Sequence, residues 1–173
     1  RYINTIDADG VRLDYGLTFQ NFEALKYGLG DTDKAKRIFE WVDGVRTVEG
    51  DTSTGSDIMS YTAILNTYYE KTNSAKRAPD GLKLAARSNT VAFESKSENG
   101  KSWWHNPGGI DEFSNASYNT HLENGGYIFY TAYYELMARL AYQGADASVK
   151  RMQEIAEVYE YNLLNSDVGG WME

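Results

Sequence analysis

Apolar residues recur at helical spacing in two separate stretches of the chain. From Thr18 to Leu29, the positions Phe22, Leu25 and Leu29 stand three and four apart, which predicts one face of a helix. Gly28 and Gly30 end that run, and Asp31 or Thr32 is placed to cap the next helix. Ala35, Ile38, Phe39 and Val42 then form an apolar stripe, with Lys34, Lys36, Arg37 and Glu40 turned to water, until Gly44 stops it. The second stretch repeats the device. An apolar, aromatic helix is expected from about Tyr127 to Tyr142, ending at Gln143-Gly144. A second helix follows from about Ala147 to Leu164, with Val149, Met152, Ile155, Ala156, Tyr159 and Leu163 as its inward stripe. Aligning Gly30 with Gly144 also aligns Lys36-Arg37-Ile38 with Lys150-Arg151-Met152, which suggests a repeated hairpin. In each pair the first helix is the less polar, as expected when first helices line an interior and second helices form an outer shell.

The stretch between these hairpins, 45–122, has no such clear period. Thr47 to Asp57 is turn-rich and hydroxylated. Ile58, Tyr61, Leu65 and Tyr68 fit a helical face, yet Thr62, Thr67, Tyr68 and Tyr69 favour a strand, so both assignments stay open. Thr90-Val-Ala-Phe-Glu94 reads as a strand, and Ser95 to Lys101 as a polar connection. A connection this long inside one domain is usually functional, and it is expected to fold as a loop layer over a site. The fold class predicted is mainly α: antiparallel helical hairpins at about 18–44 and 123–165, separated by a long irregular, β-containing insertion. All of it falls in a single domain, in keeping with the roughly 100–200 residues usual for one.

Charge and composition narrow the partners. The chain has 173 residues and a formal net charge of −8, which argues against nucleic acid, because phosphate binding needs a clustered basic surface. No apolar run reaches the ~18–20 residues of a membrane-spanning helix. There are no cysteines and two histidines, His105 and His121, so neither thiol chemistry nor a histidine-rich metal site is expected. Asp7-Ala-Asp9-Gly10 resembles the start of a calcium loop, but the later ligands of such a loop are absent, and a surface turn is the plainer reading. No cofactor fingerprint is present. The compartment stays open. Arg1-Tyr-Ile-Asn4 begins as if inside a strand and Gly169 to Glu173 ends without a terminal signal, so a segment of a larger protein, or a divergent, shortened relative of one, is expected, with the remainder of a parent chain or a homo-oligomer as partner. Tyrosine is abundant, with 14 copies beside four tryptophans. Both residues pair a flat apolar face with a polar tip, which suits carbohydrate as well as a helical core.

The stretch with most chemical promise is His121-Leu-Glu-Asn-Gly-Gly126, where Glu123 and Asn124 stand before two glycines and an aromatic helix. Glycines let the backbone turn sharply and approach a ligand. A carboxyl on such a turn can be desolvated and its pKa raised, which suits a general acid or base; otherwise Glu123 is a helix N-terminal acid that favours the dipole. Glycoside cleavage needs two carboxylates, about 5–5.5 Å apart in retaining enzymes and about 6.5–9.5 Å apart in inverting ones. Asp57 and Asp9 are the candidate partners, against the alternative of a cap and a turn residue. Trp103-Trp104, before His105-Asn-Pro-Gly-Gly109, is the candidate sugar-stacking platform, against the alternative of core plugs. Asn124, His105 and Tyr15 complete the candidate binding set, although a hydrogen-bonded structural role is the plainer reading for His105.

On these stretches (Thr18 to Val42, Glu123-Asn-Gly-Gly126 with its helix, and the closing hairpin through Lys150-Arg151) the chain resembles the six-hairpin glycosidase superfamily of (α/α)6 barrels. The resemblance covers about half the chain. It implies an incomplete barrel, glycoside hydrolase or phosphorylase chemistry, and an oligosaccharide substrate held at the mouth by the Asn-Gly-Gly turn. Two other readings stand beside it: a non-catalytic carbohydrate-binding segment, and a helical protein-interaction module.

Overall fold

The computed structural model describes residues 1–51, 58–83, 87–91, 125–126 and 129–165. Among these, a short antiparallel ribbon, β1 (Thr5–Ile6) and β2 (Arg12–Leu13), precedes the helices α1 (Thr18–Lys26) and α2 (Thr32–Val42). Helix α3 (Tyr61–Lys71) follows, then a 3-10 turn (Phe129–Thr131) leading into α4 (Ala132–Gln143) and α5 (Ala145–Asn165). The protein is therefore mainly helical, as expected.

Local chemistry sets the boundaries. Asp7 closes the ribbon by accepting hydrogen bonds from the backbone N–H of Asp9 and Val11, at 3.0 and 2.8 Å, so the acidic turn is a side-chain-stabilised turn. Asp31 caps α2 by accepting from the Lys34 N–H at 2.7 Å. Gly144, at φ +92°, turns the chain between α4 and α5 where an L side chain is disfavoured.

Helix α4 sits at the centre and packs against α1, α2 and α5. Two apolar clusters meet along it. Phe22 and Leu25 of α1, Ala35, Ile38, Phe39 and Val42 of α2, the Ile58-Met59 turn and Ala138 of α4 form one. Tyr61 and Leu65 of α3, Ala78, Ala132 and the α5 residues Ile155 and Val158 form the other. Helix α3 resolves the open assignment at 58–71 in favour of a helix, because Tyr61 and Leu65 share one buried face while Ile58 packs in the preceding turn.

Three sequence expectations are corrected. Leu29 lies beyond the end of α1 and is exposed. Val149 and Met152 are 48% and 52% exposed, and Ala156 also faces water. The buried seam of α5 instead runs through Arg151, Ile155, Val158 and Asn162, because two polar side chains find buried partners there. Arg151 Nε donates to Glu135 Oε1 at 2.6 Å, and Tyr61 Oη donates to Asn162 Oδ1 at 2.9 Å. The Lys-Arg repeat falls with that stripe: Arg37 is exposed where Arg151 is buried, and Ile38 is buried where Met152 is exposed.

Candidate functional site

The two glycines that follow Glu123-Asn124 are held against a buried polar segment, Arg87 to Thr90. The Gly125 N–H donates to Asn89 Oδ1 at 2.6 Å and to Ser88 Oγ at 3.0 Å. Arg87 Nε donates to the Gly125 carbonyl at 3.0 Å, and the Ser88 N–H donates to the Gly126 carbonyl at 2.9 Å. Both glycines are buried, and Gly125 stands at φ +81°, in the left-handed region that favours glycine. The turn is thus held at the Gly125 N–H and at both glycine carbonyls.

The same segment is tied to the start of α1. The Thr18 N–H donates to the Ser88 carbonyl at 3.1 Å, the Thr18 hydroxyl donates to the Arg87 carbonyl, and the Thr90 N–H donates to the Gly16 carbonyl at 3.1 Å. Gly16 is required here: a Cβ would lie 2.0 Å from Thr90 Oγ1, and its φ is +61°. The helix that anchors the first apolar cluster therefore also positions the Gly-Gly turn.

Thr90 continues the network into a buried carboxylate. Its hydroxyl donates to Asp51 Oδ1 at 3.0 Å, Trp41 Nε1 donates to Oδ2 at 2.8 Å, and Arg1 Nη1 reaches both oxygens at 2.6 and 2.8 Å. The Arg1 guanidinium lies 4.6 Å from the centroid of the Trp41 ring and also grips Asp14. With its side chain fully buried and both oxygens accepting hydrogen bonds, Asp51 holds structure together.

Of the sequence-predicted site residues, Asp9 is exposed at the tip of the β1–β2 ribbon. Tyr15 is half-buried, and its carbonyl accepts from the Val91 N–H at 3.1 Å, which places it beside the Arg87–Thr90 segment. Glu123, Asn124, Asp57, Trp103, Trp104 and His105 lie outside the described residues, as does the expected strand beyond Val91. Asp57 immediately precedes the fully buried Ile58, and Glu123 stands two residues before Gly125.

A second charged cluster joins α2, α4 and α5. Glu135 is fully buried; its Oε1 accepts from Arg139 Nε at 2.9 Å and Arg151 Nε at 2.6 Å, while its Oε2 has no hydrogen-bond partner among the described residues. Arg139 also donates to both oxygens of Asp43, at 2.6 and 3.2 Å. Burial works against the Arg139 charge, but the Glu135 carboxylate and the Asp43 bonds outweigh it and raise its pKa. Both clusters escaped sequence reasoning. The signal available was a run of four polar residues, Arg87-Ser-Asn-Thr90, directly after Leu84-Ala-Ala86. Among the described residues no group of His, Cys, Asp and Glu side chains has the arrangement of a metal site. No protein-family model, curated protein or solved structure matches the chain.

Proposed function

We propose that the chain belongs to a carbohydrate-active enzyme that cleaves glycosidic bonds, with Glu123 protonating the departing oxygen. The clamp on Gly125 and Gly126 carries this reading. A general acid contributes only when it is held in register with the bond it serves. The Glu123-Asn124 pair is joined directly to a Gly-Gly turn fixed by hydrogen bonds with Arg87, Ser88 and Asn89. Asp57, joined to the buried Ile58-Met59 turn, is the proposed second carboxylate, and Trp103, Trp104, His105, Asn124 and Tyr15 the proposed sugar contacts. Asp9 is not carried forward.

The six-hairpin architecture belongs to the same proposal. Its support is that α1 and α4, the first helices of the two pairs, pack on each other. Replacing Glu123 with Gln is expected to lower turnover of oligosaccharides by ~10²–10⁴-fold with an unchanged circular dichroism spectrum. Unchanged turnover would refute the role given to Glu123. A protein-interaction module remains the second reading, favoured by the exposed apolar residues Val149, Met152 and Leu164 of α5. Concentration-dependent self-association without any glycosidase activity would favour it.

A further inference from the structure

Where the end of α1 meets the beginning of α4, tyrosines gather around one ammonium. Lys26 Nζ lies 4.3 Å from the ring centroid of Tyr27, 4.5 Å from that of Tyr133 and 5.2 Å from that of Tyr134. It also reaches Tyr27 Oη at 3.3 Å. The cation is therefore confined by three rings, instead of sweeping through water as a surface lysine does. Tyr134 packs against the first apolar cluster, and its ring meets that of Tyr133 edge-on at 5.7 Å, so the platform has a fixed base. Tyr27 and Tyr133 nevertheless remain 62% and 53% exposed. Two open aromatic faces beside a positioned positive charge form an unusual surface on a chain of net charge −8, and they stand at the C-terminal end of α1 and the start of α4.

We propose that Lys26, Tyr27 and Tyr133 form a binding platform for an acidic sugar, a uronic-acid unit of the oligosaccharide that the enzyme acts on. A uronate offers an apolar C–H face to a tyrosine ring and a carboxylate to the ammonium, and a neutral sugar offers only the first. Lys26 Nζ donates to the Tyr27 hydroxyl oxygen, and this bond holds the Lys26 pKa above its ordinary value, so the ammonium stays charged throughout the neutral range. The assignment of carbohydrate as the ligand rests on the function proposed above.

Titration calorimetry of the whole protein with tetragalacturonate, against neutral galactotetraose, tests the platform. The acidic oligosaccharide is expected to bind about tenfold more tightly, as a charge-assisted contact implies, and to weaken as salt is added. Lys26→Gln should abolish the preference and Lys26→Arg retain it, while Tyr133→Ala should weaken both ligands, each with an unchanged melting transition. Equal binding of the two oligosaccharides, absence of binding, or a preference that survives in Lys26→Gln would overturn the platform. Glu123→Gln should leave these titrations unchanged, which separates the two proposals. Uronate binding without any cleavage would leave the platform standing and the catalytic role refuted. Cleavage of neutral glycosides that needs Glu123, without a uronate preference, would do the reverse.

Discussion

Single residues decide more of this molecule than apolar patterning suggests. Glu135 is the clearest case, because one fully buried carboxylate neutralises two arginines from different helices. Removing one partner of a buried ion pair leaves a charge without compensation, at a cost of about 3–5 kcal/mol. Since Arg139 keeps Asp43 and Arg151 keeps Glu154, Glu135→Gln is expected to cost about 3 kcal/mol, toward the low end of that range. Urea unfolding measures it, and a loss below about 1 kcal/mol, the size of a surface pair, would contradict the role given to the cluster. Gly16→Ala is expected to destabilise by at least about 1–2 kcal/mol from its positive φ alone, more with the clash against Thr90, and the same unfolding midpoint reports it. The α5 stripe shows why such positions escape a reading by pattern. Met152 scores as core and Arg151 as surface, but the arginine is buried because its counter-charge comes from another helix, and no periodicity along α5 encodes that partner.

At the scale of elements, local signals held where the cause was local. Asp31 caps α2, Gly144 turns α4 into α5, and Asp7 closes the ribbon, each through bonds within a few residues. Helix α3 was ambiguous because its threonines and tyrosines suit either state, and tertiary burial of Tyr61 and Leu65 settled it. The anchor of the Gly-Gly turn left only the polar run Arg87-Ser-Asn-Thr90 as a trace in the sequence. Its donors and acceptors come from Arg87, Ser88 and Asn89, more than thirty residues earlier in the chain, and side chains of that kind read as loop in any window. Asn89→Ala removes one of the two acceptors for the Gly125 N–H and the donor to the Val91 carbonyl. It should cost about 1–3 kcal/mol in stability. If the clamp positions Glu123, the variant should also lower kcat with KM little changed, as loss of a positioning contact does. A fall in stability with kcat intact would make the clamp structural only.

For the whole molecule, the mainly helical class and the order of the two helix pairs were legible because long amphipathic stretches need few assumptions. The way they assemble was not. Helix α4 joins two apolar clusters, one shared with α1 and α2 and one with α3 and α5, and the bonds that tie α4 and α5 to the earlier part of the chain come from residues remote in sequence. The catalytic proposal lives at this scale, since it needs a fixed scaffold to present one acid to one bond. The most direct test is turnover by Glu123→Ala on two substrates that differ only in leaving group, a natural-type glycoside and its dinitrophenyl counterpart. A departing dinitrophenolate needs no proton, whereas a sugar alkoxide does. The account predicts a fall of ~10²–10⁴-fold on the natural-type glycoside and a much smaller one on the activated substrate. Equal turnover by variant and native protein on both substrates would contradict it.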